Sequence, residues 1–299
     1  MRALVCPGQG SQKKGFLSPW LEIEGVREHL ERLSEAAGID LIHYGTEAEE
    51  ETIKDTAIAQ PLIVAAGIVT SRLALRELDG EELIFAGHSV GEITAAALAG
   101  VLSDEDAMRF VRVRANGMAE AAAASPTGMA AVLGGVEENV REAIDAAGLV
   151  AANSNGGGQI VAAGPIPAIE AFAANPPARA RVIPLKVAGA FHTEAMAPAV
   201  PALEEFAASL KVSDPTSALL TNRDGSAVAS GEEFVKTLVS QVTSPVRWDL
   251  CMATLLEREV AGIIEVAPAG TLVGLAKRAM RGVPDTSINT PEDLASLKG

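Results

Sequence analysis

The apolar run Leu83-Ile84-Phe85-Ala86 ends abruptly in Gly87-His88-Ser89-Val90-Gly91, and a helical stretch from Glu92 to Ala99 follows at once. A short apolar run bounded by glycine reads as a buried strand. Strand, tight turn and helix in immediate succession commit this part of the chain to an α/β fold. They also put Gly-x-Ser-x-Gly in the context that makes it a nucleophile elbow. The serine there must sit on a sharp turn with its hydroxyl exposed. Gly87 and Gly91 leave room where a Cβ would collide with neighbouring backbone. The Val90 N–H, at the start of the helix, points to where an oxyanion would form.

The same punctuation recurs along the chain. Arg2-Ala3-Leu4-Val5-Cys6 reads as another buried strand, running into the loop PGQGSQ at 7–12. Helical stretches are expected over Val26–Ala37 and Pro61–Leu78, the second with Leu62, Ala65, Ala66, Val69 and Leu73 near one face. Ser103 caps a further helix whose first turn carries Asp104, Glu105 and Asp106, acids placed on its positive end. Residues 127–187 change rhythm: strands at Met129–Leu133, Val150–Asn153, Gln159–Ala163 and Arg181–Leu185 alternate with helices at Glu137–Ala147 and Ile166–Ala174. This β-α-β-β-α-β order predicts a ferredoxin-like module. The chain then turns helical over Met196–Leu210, and Ile263–Val266 leads through Ala267-Pro268-Ala269-Gly270 into Leu272–Met280. The expectation is an α/β protein with a large α/β-hydrolase-like subdomain, residues 1–126 and 188–299, and a small ferredoxin-like subdomain, 127–187, inserted into it.

A serine hydroxyl needs a base, and the chain offers four histidines. His88 adjoins Ser89, and neighbouring side chains at a strand end point apart. His29 and His43 precede the serine and lie in acidic helical or loop sequence. Only His192, in Gly189-Ala190-Phe191-His192, follows the serine, which is the chain order of hydrolase-type sites. No Asp or Glu announces itself as a third triad member, so a Ser-His dyad with the imidazole held by a backbone group is expected. Arg109, Arg112 and Arg114 lie close together on one predicted helix. A helix places Arg114 on a different face from Arg112, with apolar residues around it. A solvated face would account for all three, but a buried arginine needs an anion, and its fork suits a carboxylate.

Composition narrows the partners. The 299 residues carry 24 Lys+Arg against 39 Asp+Glu, a formal charge of -15. That balance excludes coating nucleic acid through phosphate contacts and bulk attraction to an anionic membrane surface. No signal peptide is read at the N-terminus, because Ala3–Cys6 is too short and meets Pro7. No stretch is expected to reach membrane-spanning length; the most tempting, Val260–Ala276, carries Glu265 and Pro268. Cys6 and Cys251 lack metal-ligand spacing and read as core residues, consistent with a reducing cytoplasm.

Taken in order, these segments resemble one family, malonyl-CoA:acyl carrier protein transacylase. They are PGQGSQ at 7–12, GHSVGE at 87–92, Arg114 followed by Gly128-Met129-Ala130-Ala131-Val132, GAFH at 189–192, Gln241 in QVTSPVRW, and EVAPAGTLVGLAKR at 265–278. The resemblance implies Ser89 as the acylated nucleophile and His192 as its base. It implies backbone N–H groups of Gln9 and Val90 as the oxyanion hole. Arg114 would hold the free carboxylate of the malonyl group, and a main-chain carbonyl near Gln241 would orient His192 in place of a triad acid. Gln60, in AQPLI, matches a position near the site, and Asn153 and Asn155 match a stretch lining the cleft from the small subdomain. Phe191 resembles the malonyl-selective pattern. Cys6, Ala188 and Thr193 depart from the usual residues without removing a catalytic group.

The implied substrates are malonyl-CoA and the phosphopantetheine thiol of acyl carrier protein, exchanged in a ping-pong reaction with no metal and no redox cofactor, on a cytoplasmic monomer. A serine thioesterase or esterase shares the elbow and His192, and a non-catalytic relative that only binds carrier protein shares the scaffold. Arg114 and the PGQGSQ loop favour the transferase over the first, and the intact serine, histidine and arginine argue against the second. Both implied partners are anionic, so an acidic chain must meet them through local positive patches. Arg179, Arg181 and Lys186, and Lys277, Arg278 and Arg281, are the candidates.

Overall fold

The structure, a computed structural model, describes residues 1–298. The chain opens with β1 (Arg2–Cys6), α1 (Val26–Ala37), α2 (Leu41–Thr46), α3 (Thr56–Glu77), β2 (Leu83–Gly87), α4 (Gly91–Leu98) and α5 (Asp104–Ala124). A second unit follows: β3 (Thr127–Gly134), α6 (Glu137–Ala146), β4 (Val150–Gly156), β5 (Gln159–Pro165), α7 (Ile166–Ala174) and β6 (Ala180–Pro184). The chain returns through α8 (Val200–Ala208), β7 (Ala218–Leu219), α9 (Gly231–Ser240), β8 (Val246–Arg247), α10 (Trp248–Glu257), β9 (Ile263–Glu265), α11 (Thr271–Ala279) and β10 (Asp285–Ser287).

The first sheet runs β10-β9-β1-β2-β7, all parallel. Its central strands are the two apolar runs, in register from Arg2 opposite Leu83 to Cys6 opposite Gly87. A parallel strand covered on both faces has no use for alternation, which is why these segments read as continuous apolar runs. Helix α1 buries Val26, Leu30, Leu33 and Ala37, the i, i+4, i+7, i+11 stripe of an amphipathic helix. Ser103 caps α5 as expected, its Oγ accepting the Asp106 N–H at 3.0 Å.

Helix α3 corrects two expectations. It starts at Thr56 rather than Pro61, because Asp55 caps it by accepting the Ala57 N–H at 2.8 Å. Pro61 cannot donate to the Ala57 carbonyl one turn back; Arg112 donates to that oxygen instead, at 2.8 Å. The helix is also 22 residues long with a mean hydropathy of 1.6 over its most apolar window, enough by length and composition to cross a membrane. The chain does contain such a stretch, and it is not Val260–Ala276. Here 78% of that window is buried, packed on α4 and α5. The stretch expected as one helix from Met196 to Leu210 divides at its prolines into a 3-10 turn, Glu194–Ala199, and α8, with Pro198 in the first and Pro201 at the start of the second.

The second sheet has the order β6-β3-β5-β4-β8. Its first four strands are antiparallel in the ferredoxin-like arrangement. β8 adds to β4 in parallel, pairing Asn153 with Val246 and Ser154 with Arg247, so a strand from late in the chain extends the module beyond 127–187. Ala130 and Val132 face α6 and α7 in a small core with Ile144 and Phe172. Met129 and Val161, on the other face, join the large core. The alternation of β3 therefore divides one strand between two cores.

Candidate active site

The elbow is held shut by its neighbours. A Cβ on Gly87 would lie 2.0 Å from the Gly91 carbonyl carbon, and one on Gly91 would lie 2.2 Å from the Cys6 carbonyl oxygen. These are backbone atoms of a buried turn and strand, so neither glycine admits a side chain. Ser89 sits between them at φ 52°, in the left-handed region that a non-glycine residue enters only under constraint. Two amides supply the constraint: the Ser89 N–H donates to Asn222 Oδ1 at 2.8 Å, and Gln241 Nε2 donates to the Ser89 carbonyl at 3.1 Å.

His192 meets the serine across the cleft. Its Nε2 lies 2.7 Å from Ser89 Oγ, and its Nδ1 lies 2.8 Å from the Gln241 carbonyl oxygen. A carbonyl only accepts, so Nδ1 carries the proton and Nε2 is free to receive the serine's. Burial, followed by the Arg114 charge, depresses the imidazole to about 3. It is therefore neutral at neutral pH, the form a base requires. His192 is itself at φ 62°, its N–H donating to Val242 O at 3.1 Å. His88 points elsewhere, its Nε2 2.8 Å from Asn155 Oδ1.

The three arginines of α5 have three different fates. Arg109 pairs with Asp106 at the surface and Arg112 fills the Ala57 carbonyl. Arg114 is only 1% exposed and has no carboxylate within 4.0 Å among the described residues. Its Nη1 donates to Gln60 Oε1 at 2.6 Å; its Nη2 donates to Gln241 Oε1 at 2.8 Å and to Ser89 Oγ at 3.3 Å. Burial lowers it to about 10, which leaves a cation at neutral pH.

A cleft of about 600 Å³ opens onto these groups between the two subdomains. Gln9, Gln60, Asn153, Asn155 and Phe191 all line it with Ser89 and His192. Gln9 is tied into the wall through Thr56 and Gln60, at 3.2 and 3.3 Å. Val90 is the N-cap of α4, where the first amides of a helix have no partner within it. Of the expected cations, Lys186 and Arg278 reach the cleft, joined by Lys54, which sequence reasoning passed over. Lys277 instead pairs with Asp285 at 3.3 Å.

Sequence reasoning also passed over three buried polar side chains. Glu92 and Asn222 are each 1% exposed and contact the elbow's supports. Glu265, fully buried, accepts the N–H groups of Gly270, Leu272 and Val273 at 2.9 Å and so shapes the loop that closes one end of the cleft. Glu92 and Glu265 each stand inside a quoted motif, and an acid embedded in an apolar helix start or strand end was the available signal. Asn222, in a turn-like TNRDG stretch, carries no signal at all. Among the described residues no group of three or more His, Cys, Asp or Glu side chains is placed to hold a metal.

Comparison with known proteins matches residues 3–291 to the acyl transferase domain family. The chain is 52% identical over 299 residues to a malonyl CoA-acyl carrier protein transacylase of Mycobacterium tuberculosis, covering 99% of each. It superposes on a crystal structure of MCAT from the same organism with a TM-score of 0.97, at 52% identity and complete coverage of both chains. A type II PKS acyl-carrier protein in complex with its malonyl-transacylase provides another neighbour, with a TM-score of 0.91, 30% identity, and 99% and 98% of the two chains covered.

Proposed function

We infer the reaction from kinship and geometry together: the chain belongs to the malonyl-CoA:acyl carrier protein transacylases. It is an acyltransferase that moves malonyl from CoA to acyl carrier protein for fatty acid synthesis. In our reading Ser89 carries the group between them. His192 Nε2 takes the Ser89 proton as the hydroxyl attacks the thioester carbonyl. Backbone N–H groups of Val90 and Gln9 receive the developing oxyanion. As the tetrahedral intermediate collapses, the C–S bond breaks and the departing CoA sulfur takes the proton from His192. A malonyl-serine ester remains. The phosphopantetheine thiol then attacks that ester, with His192 removing the thiol proton and returning it to Ser89 Oγ.

The observation that carries this reading is Arg114. A buried guanidinium 3.3 Å from the nucleophile oxygen, held only by amide oxygens, suits a substrate with a second carboxylate. It also couples binding to catalysis. Arg114 helps to depress His192, so a malonyl carboxylate that neutralises it makes the imidazole a stronger base when substrate is in place. Phe191 narrows the cleft and disfavours a substituent on the substrate's α-carbon. The reading includes no metal or redox cofactor, since thioester exchange balances in protons alone. It also includes a cytoplasmic location, in keeping with two buried unpaired thiols, and a monomer, which rests on the family resemblance.

Intact-mass measurement after mixing with malonyl-CoA tests the class. The expected result is a malonyl adduct that is absent in Ser89→Ala, persists in water and discharges to phosphopantetheinylated carrier protein. Rapid hydrolysis indifferent to carrier would make the protein a thioesterase.

A further inference from the structure

Glu92 is a fully buried carboxylate that the transfer mechanism does not use, and its two oxygens serve two different residues. Oε1 accepts the backbone N–H of Asn222 at 2.7 Å, while Oε2 accepts from Gln241 Nε2. Those two residues are the ones that grip Ser89 from both sides, Asn222 Oδ1 on its N–H and Gln241 Nε2 on its carbonyl. Asn222 Nδ2 also donates to Gly87 O at 2.7 Å, at the strand end of the same turn. Gln241 does more: its Oε1 accepts from Arg114 and its main-chain carbonyl accepts from His192 Nδ1.

The amide of Gln241 lies between a guanidinium, which only donates, and a carboxylate, which only accepts. One orientation alone satisfies both, with Oε1 toward Arg114 and Nε2 toward Glu92. We propose that Glu92 is a positioning residue for the transfer reaction, a single carboxylate that clamps the supports of Ser89 and sets the amide polarity through which Gln241 serves Arg114. This rests on the malonyl-transfer reading given above. An isosteric glutamine at 92 has one acceptor for two donors. Either the Asn222 N–H loses its partner, or two NH₂ groups meet and Gln241 turns its own NH₂ toward Arg114. In both cases the elbow or the arginine fork is displaced without any change in side-chain size.

The groups packed on Glu92 leave it a distinct titration. Arg114 on α5 stays charged and the Cys251 thiol on α10 is pushed up by burial, so it stays protonated. At the elbow His88 is lowered, mainly by burial, and His192 is depressed to about 3. Burial raises Glu92 to about 7, against hydrogen bonds and the Arg114 charge that favour its ionised form.

The experiment is rapid-quench intact-mass measurement of Ser89 acylation by malonyl-CoA between pH 6 and 9, in the parent, Glu92→Gln and Glu92→Asp. Failure of the parent to form the adduct would count against the transfer reading itself. Given an adduct, the parent's rate should rise with pH through about 7 as Glu92 ionises. Glu92→Gln should lose roughly 100-fold, the order of effect that follows a misplaced reacting group, and its rate should be flat with pH in that window. Glu92→Asp keeps the charge and should keep the acid limb while recovering part of the rate. A Glu92→Gln rate within threefold of the parent, or an unchanged pH profile in that variant, overturns the proposal. Should Glu92→Gln fail to fold, a parent profile without the limb, or a Glu92→Asp profile that lacks it, overturns it equally.

Discussion

Replacing Arg114 with alanine separates binding of the malonyl carboxylate from every other role this residue could have. The guanidinium is buried and directs two nitrogens into the site. A carboxylate bound there gains two charge-assisted hydrogen bonds, each worth about 1.5–3 kcal/mol, or about 3–6 kcal/mol together. At about 1.4 kcal/mol per decade, malonyl-CoA should lose roughly 10²- to 10⁴-fold in kcat/KM. Acetyl-CoA has no second carboxylate. It loses what Arg114 contributes through its long 3.3 Å contact with Ser89 Oγ and its hydrogen bond to Gln241, a loss that malonyl-CoA shares and that the ratio of the two activities cancels. The assay is transfer to carrier protein from each donor, with both rates divided by the fraction of enzyme that can be acylated, so partial unfolding cancels. The ratio of malonyl to acetyl activity should fall by at least tenfold. Equal losses would refute the assignment and make Arg114 a support for the serine.

Gly91→Ala places a Cβ 2.2 Å from the Cys6 carbonyl; thermal unfolding should show a loss of about 3 kcal/mol or more, with no acyl adduct on Ser89. His192, depressed from 6.5 to about 3, leaves the unfolded chain binding a proton the native state refuses. Stability should therefore fall as pH drops below about 6.5, by on the order of 5 kcal/mol in the limit. Glu92, raised from 4.5 to about 7, slopes the opposite way between those values, so denaturant titrations of His192→Gln against the parent isolate the histidine, and identical slopes would deny its burial as a neutral group. Charge reversal at Lys54, Lys186 and Arg278 should raise the KM for carrier protein severalfold at low salt, and less at high salt; no change would place the docking face elsewhere. Phe191→Ala should relax discrimination against methylmalonyl-CoA by about 10-fold or more in competition assays, and unaltered selectivity would remove Phe191 from the specificity pocket.

Local chemistry is legible in a sequence wherever a few adjacent residues must satisfy a local constraint. Gly87, Ser89 and Gly91 announce a turn without room for side chains, and the apolar runs at 2–6 and 83–87 announce strands covered on both faces. His192 was reachable because the chain has few histidines to choose among. The ferredoxin-like module followed from element order, each strand and helix being long enough to show its own period. The start of α3 was missed because Pro61 looked like a boundary. The carbonyl that Pro61 leaves free is satisfied from another helix, by Arg112.

What the tertiary structure decided are the relations between distant residues. Arg109, Arg112 and Arg114 share one helix, and although helix face and motif single out Arg114, only packing supplies the partners that hold it in the core, Gln60 and Gln241. The strand that pairs with the free edge of β4 comes from Val246–Arg247, which no local pattern connects to residues 150–156. Glu92 and Asn222 stand 130 residues apart and meet under Ser89. Hydrophobic period and turn geometry act over a few residues, so a sequence displays them directly. A hydrogen-bonded network of buried polar groups exists only once the chain has closed, because each member is tolerable in the core only when partners from elsewhere have arrived.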